Sequence, residues 1–139
     1  FNFIGFDSFE GLKEDWVGHN ATKGAYSQAG RLPKVPANVE LVKGWFDETV
    51  PVRLEKGTPS QIRLYHIDGD TYEAASAVLN NISPTLNIGD LVLFDELIGY
   101  PGWTNGEFRA LEEARGKFNF GYKFRAFSSE QALIEITLM

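Results

Sequence analysis

The chain has 139 residues and no cysteine, with 43% hydrophobic and 14% aromatic residues. That is long enough for one domain, 1–139, with a substantial core, and it excludes disulfide staples, thiolate metal sites and cysteine nucleophiles. A formal charge of -6 with no basic stripe argues against a nucleic-acid phosphate binder, because neutralising phosphates needs clustered Lys and Arg.

No apolar run approaches the roughly 18 to 20 residues of a membrane helix, and the first residues do not read as a signal peptide. The expected compartment is therefore the cytoplasm. The chain opens at Phe1 inside what reads as a strand, so a piece of something longer is expected.

Phe3-Ile4-Gly5-Phe6 is a short apolar run that stops at Asp7 and turns through Ser8-Phe9-Glu10-Gly11. From Leu12 to Asn38 glycines and prolines break every period. The segment is expected to be irregular, with room for one short helix, and to cover part of a site. Val39 to Gly44 is a second strand. Thr49-Val50-Pro51 reads as a helix entrance, since Pro is tolerated in a first turn, and Lys56-Gly57-Thr58-Pro59-Ser60 closes that connection.

Leu64-Tyr65-His66-Ile67 is expected as a buried strand running into Asp68-Gly69-Asp70. Thr71 to Leu86 is then the clearest helix, with Ala75, Val78, Leu79 and Ile82 on one stripe. Leu91 to Phe94 is near-continuously apolar, as strands covered on both faces are, and ends at Asp95-Glu96. A helix follows from about Gly106 to Phe118, with Phe108, Leu111 and Arg115 on one side. Gly121–Phe127 and Ala132–Leu138 are spaced as an antiparallel hairpin. Strands alternating with helices predict an α/β fold with a mainly parallel sheet, helices on both faces and a terminal antiparallel hairpin.

Three strands thus end in acids: Asp7, then Asp68 with Asp70, then Asp95 with Glu96. If the second and third are neighbours, their ends lie about 5 Å apart. Carboxylates that close repel, and the usual remedies are a raised pKa or a bound cation, for which oxygen donors suit magnesium, calcium or manganese. The competing explanation is that these acids merely cap helices. His66, inside the apolar run, is expected first as a packing residue and second as a site residue. Trp16, Trp45, Tyr100 and Trp103 could stack on a planar ligand, although each is an ordinary core residue as well.

FDSFEGL at Phe6 to Leu12, VELVKGWFDETVP at Val39 to Pro51, YHIDGDTYEAASAVL at Tyr65 to Leu79 and LVLFDELIGYPGW at Leu91 to Trp103 together resemble the class I S-adenosylmethionine-dependent methyltransferases. Within them they are most similar to the macrocin and novobiocin type sugar O-methyltransferases. The resemblance implies a Rossmann-like fold and transfer of a methyl group to a hydroxyl of a sugar or small natural product, with S-adenosylmethionine and a divalent cation, magnesium by expectation. It implies that Asp7, with Ser8 beside it, holds the cofactor's ribose and that Trp45 borders its adenine, with Asp68 also on the cofactor's side. Asp68, Asp95 and Glu96 match the metal positions, and Asp70 matches the general base, with His66 as a second catalytic candidate. An aspartate at a helix start is expected to have a lowered pKa and to be a weak base unaided.

The resemblance also implies that the family's first, central strand and its glycine-rich turn precede Phe1. The strands ending in Asp7 and Asp68 would then either pair directly or receive a second copy of the chain as a homodimer, and the chain alone would be inactive or nearly so. Two other readings stay open on the residues. Asp68-Gly69-Asp70-Thr71 also looks like the D-x-D of metal-dependent phosphatases or glycosyltransferases, and a non-catalytic remnant or interaction module would use its acids only as caps.

Overall fold

The computed structural model describes residues 2–57 and 63–139. Strand β1 (Phe3–Asp7) and strand β2 (Val39–Lys43) run parallel, paired from Phe3 with Val39 to Asp7 with Lys43. The 31 residues between them hold no helix. They are folded by local turns in which the Leu12 amide donates to the Ala25 carbonyl and the Gly24 amide to the Leu12 carbonyl, with one isolated bridge between Trp16 and Ala21. Glycine is required at two close approaches there: a Cβ on Gly11 would stand 2.4 Å from the Ala25 carbonyl oxygen, and one on Gly18 2.0 Å from that of Pro101.

Helix α1 (Phe46–Leu54) begins three residues before the expected entrance, so Pro51 lies inside it. Asp47 and Glu48 occupy the first turn, where acids suit the helix dipole, and these rather than the proline mark the start. Gly57, at φ 95°, follows the helix end. Thr58 to Ser60, expected to close this connection, fall outside the described residues.

The remaining strands form one four-stranded mixed sheet in the order β3 (Leu64–Ile67), β4 (Leu91–Phe94), β6 (Ala132–Leu138), β5 (Gly121–Phe127). β3 and β4 are parallel neighbours, and β6 runs antiparallel to both β4 and β5, as the hairpin spacing predicts. β3 is an edge strand rather than a buried one. Tyr65 and Ile67 face inward while Leu64 and His66 are exposed, and so His66 is not the packing residue expected. β1 and β3 do not pair with each other: the described residues form two sheets, so the direct pairing offered as one way to join these strands is not formed among them.

Helix α2 (Tyr72–Ile82) is capped by Thr71, whose hydroxyl accepts the Ala74 amide at 3.3 Å. Pro84 then tightens the chain into a 3₁₀ turn, Ser83–Thr85. Helix α3 (Glu107–Phe118) buries Glu107, Ala110, Leu111 and Ala114, a stripe that starts one residue before the predicted one. Arg115, expected on that side, is exposed and pairs with Glu112 at 2.8 Å. The core lies between α2, α3 and the four-stranded sheet, around Leu79, Val92, Phe94, Leu111 and Ile134. No helix among the described residues is long and apolar enough to cross a membrane.

Candidate functional site

The carboxyl ends of β1, β2 and β3 open into one cleft of about 520 Å³, lined among others by Asp7, Ser8, Trp45, Asp68 and Asp70. Asp7 shapes its own turn: its Oδ1 accepts the Phe9 amide at 2.5 Å and the Ser8 hydroxyl accepts the Glu10 amide at 3.1 Å. Its carbonyl accepts the Gly44 amide at 3.0 Å, which joins the ends of β1 and β2 beside Trp45. Lys13 stands 5.1 Å from the Trp45 ring centre and 3.6 Å from Asp47, so the indole has a cationic neighbour on its approach.

The acidic rim follows from sheet register. Ile67 pairs with Phe94, and the Asp95 amide donates to the Ile67 carbonyl at 3.0 Å. The residues after each strand, Asp68 and Asp95, therefore leave the sheet at the same level. Asp70 follows in a left-handed conformation, φ 64°, uncommon for a residue with a side chain and concentrated at functional sites. Since Thr71 is the helix cap, the aspartates before it do not serve that purpose.

Asp68, Asp70 and Glu96 each offer a carboxylate oxygen within 4.8 Å of the others. Burial, and then the repulsion of Asp95, raises the Asp68 pKa. Burial and then the Asp68 charge push Asp70 up to about 6, the reverse of the lowering expected at a helix start, because lost hydration and a neighbouring anion outweigh the helix dipole. Glu96 is pushed up to about 9 by burial and then by Glu107.

Asp95 does not join this group. Gln131 donates to its Oδ1 at 2.6 Å, and His66 Nε2 lies 3.5 Å from the same oxygen. Burial works to raise the Asp95 pKa, yet hydrogen bonds from Gln131, Glu96 and His66 hold it below the ordinary range. The sequence-derived metal set Asp68, Asp95 and Glu96 is thus arranged as Asp68 and Glu96 with Asp70, and Asp95 is turned toward His66.

Three residues of this region were not singled out as site residues by sequence. Glu107 is fully buried at the start of α3, and burial pushes its pKa up to about 8. The signal for it was its place on the stripe Glu107, Ala110, Leu111, Ala114, where an acid among small apolar residues is out of character. His19, from the irregular segment, stacks on Trp16 at 3.9 Å, lies 4.9 Å from the Tyr100 ring and stands 3.6 Å from Glu130. Its charge favours ionisation of Asp70. Tyr100, noted only as a stacking ring, is buried with its hydroxyl pKa pushed up to about 12 by burial and then by Glu107. Nothing short-range in the sequence places His19 or the Tyr100 hydroxyl here.

A family model described as a methyltransferase domain matches residues 1–97. Two curated relatives come from Streptomyces. A tetracenomycin-C rhamnosyl 4'-O-methyltransferase of Streptomyces olivaceus is 34% identical over 59 residues, 42% of this chain and 21% of the relative. The demethyldecarbamoylnovobiocin O-methyltransferase of Streptomyces niveus is 28% identical over 81 residues, 58% of this chain and 28% of the relative. Among solved structures, a calicheamicin methyltransferase superposes with a TM-score of 0.72 at 28% identity, over 96% of this chain and 60% of that one. The apo form of that enzyme, described as a TDP-rhamnose 3'-O-methyltransferase, gives 0.62 at 28% identity, over 96% of this chain and 57% of that one. The O-methyltransferase NovP gives 0.67 at 21% identity over 98% of this chain and 60% of that one, a likeness of fold. The chain spans about 60% of the length of these structures and a smaller share of the curated relatives.

Proposed function

The chain belongs to the methyltransferase-domain family whose model covers its residues 1–97, and from that premise we propose that it serves S-adenosylmethionine-dependent O-methylation of a sugar or sugar-bearing natural product. The observation that carries this reading is the meeting of Asp68, Asp70 and Glu96 at the rim of the cleft that Asp7 and Trp45 line. When bound, S-adenosylmethionine supplies an electrophilic methyl carbon, and a divalent cation supplies positive charge that acidifies a nearby hydroxyl.

The residues fit both groups. Asp7 ends β1 and Ser8 follows it at the cleft, where they can hold ribose hydroxyls, and Trp45 offers a flat face to adenine. Asp68, Asp70 and Glu96 are all oxygen donors, which suits magnesium, calcium or manganese. The Glu96 Oε2 is buried without a hydrogen-bond partner among the described residues, and burial first and the neighbouring acids second raise the pKa of these carboxyls, both of which a dication would offset. Asp68 and Glu96 would hold the cation, with Asp95 beyond them orienting His66. Asp70, raised to about 6, remains mostly ionised at neutral pH and is a stronger base than an ordinary aspartate. It takes the proton that leaves the acceptor oxygen as that oxygen gains the methyl group.

The acceptor class rests on the names of the relatives, two of which refer to rhamnose. A rhamnose-type hydroxyl is accordingly the first acceptor to test. Titration with S-adenosylhomocysteine should show binding that Asp7→Ala and Trp45→Ala each weaken. Undiminished binding in both variants would overturn the donor-side assignment, and release of phosphate from a generic ester would favour a D-x-D phosphatase instead.

A further inference from the structure

Glu107 opens α3 and carries its carboxyl into the interior, where the residue is fully buried. An acid in a first helical turn suits the dipole from an exposed position just as well, and an apolar residue on the stripe of Ala110, Leu111 and Ala114 would avoid the cost of desolvating a carboxyl. The backbone makes room for it. At Gly106 an added Cβ would stand 2.2 Å from the Tyr100 hydroxyl, so a side chain there would push the helix start and the buried Tyr100 ring apart.

What the carboxyl touches explains its place. The Glu96 amide donates to Oε2 at 3.4 Å, and the Gly69 amide faces the same carboxyl and favours its ionised form. Gly69 lies between Asp68 and Asp70, while Glu96 follows Asp95. One side chain from a third element thus meets the backbone of both acid-bearing loops. Its Oε1 and the Glu96 Oε2 are both buried without partners among the described residues, while the side-chain hydrogen bond that Glu107 makes is with the acid-bearing loop at Glu96.

We propose that Glu107 is a positioning residue: its carboxyl ties the β3–α2 loop to the end of β4 and so sets the spacing of Asp70 and Glu96, without touching the acceptor. The proposal rests on the reading that these two acids act together. It predicts that the reach of the side chain matters more than its charge. Amide hydrogen exchange, read by NMR on the protein in a chelator-containing buffer, tests this with Glu107→Asp, one methylene shorter, and Glu107→Gln, equal in reach and still able to accept an amide.

In Glu107→Asp the Gly69 and Glu96 amides should lose protection together by about tenfold or more, while Leu79 and Ile134 in the core keep theirs, and Glu107→Gln should stay near wild type. Loss at only one of the two loops, equal loss at Leu79 and Ile134, or a Gln variant as open as the Asp variant would overturn the proposal. Should Glu107→Asp fail to fold, Glu107→Gln decides alone, with retained protection at both amides supporting the proposal and loss at either overturning it. Line broadening by Mn²⁺ in the wild type separates this outcome from the underlying reading. Unbroadened Asp68, Asp70 and Glu96 signals would sink the cation assignment, while the exchange result stands by itself.

Discussion

The pair β1–β2 and the four-stranded sheet, through β3, bring strand carboxyl ends to the same cleft, yet different forces hold them. β4 and β6 are packed into the core through Val92, Phe94, Ala132, Ile134 and Ile136, all buried. In β1, by contrast, Phe3 is 58% and Ile4 40% exposed, and Phe6 reaches the core only partly buried. Polar links fix that side instead: Lys43 donates to the Gly30 carbonyl at 2.6 Å, and the Thr71 hydroxyl donates to Glu14. The acids that need mutual spacing stand on the rigid sheet. The surfaces assigned to the methyl donor stand on elements that meet the core through a few side chains, Phe6, Phe46, Val50 and Leu54, with these hydrogen bonds added.

The largest test of this contrast is a pair of core deletions. Phe94→Ala removes a fully buried ring from β4 and should cost about 3–5 kcal/mol, a large part of an ordinary domain's stability. Ile4→Ala in β1 should cost under about 1 kcal/mol. Urea unfolding of both variants measures the difference, and comparable losses would mean that the two regions form one cooperative core after all. In catalysis the asymmetry should also be visible. Asp70→Asn keeps the shape of the rim but cannot take a proton, and should lower the methyl-transfer rate by about 10²–10³ with little change in the KM for the donor. A donor KM that rises instead would place Asp70 on the cofactor's side of the cleft.

The same contrast explains what could be read from the chain. β3, β4 and the hairpin β5–β6 lie at the predicted residues, because continuous apolar runs and a four-residue turn leave few alternatives. Alternation within β3 is not legible in its residues, since nothing local shows that Leu64 and His66 lie on an edge. The convergence of Asp68 with Glu96 followed from strand order, whereas the diversion of Asp95 depends on Gln131, 36 residues away. His19 was beyond reach for the same reason: it sits in a segment that has no period and meets the site through Tyr100 and Glu130, far along the chain. Glu107 was legible in principle, but Phe108, Leu111 and Arg115 share a helical spacing that competes with the stripe the acid belongs to.

A more graded effect concerns pH. Asp70, Glu107 and Glu96 hold their protons more tightly folded than unfolded, with values pushed up to about 6, about 8 and about 9. The stability they contribute is therefore fully present below their ordinary values and is lost as pH rises through those three. In chelator the urea midpoint should fall between about pH 5 and 9, and magnesium should restore it most at the upper end, where the carboxylates are ionised and ready to bind. Glu107→Gln should flatten the upper part of the profile. A midpoint that rises steadily over this range would show that the rim carboxylates are better solvated than their burial implies.

The smallest expected effect falls on the contact between the two regions. The Thr71 hydroxyl both accepts the Ala74 amide as the cap of α2 and donates to Glu14 in the irregular segment. Thr71→Val keeps the volume and removes both bonds, and loss of a cap costs about 1 kcal/mol. If β1–β2 and its connecting segment are held by such polar links, this variant should speed proteolysis between Leu12 and Asn38 by more than the stability loss accounts for. Protection of the core amides in α2 beyond the first turn should hardly change. Cleavage that rises only in proportion to global unfolding would mean that Glu14 follows the fold and does not help fasten the segment to it.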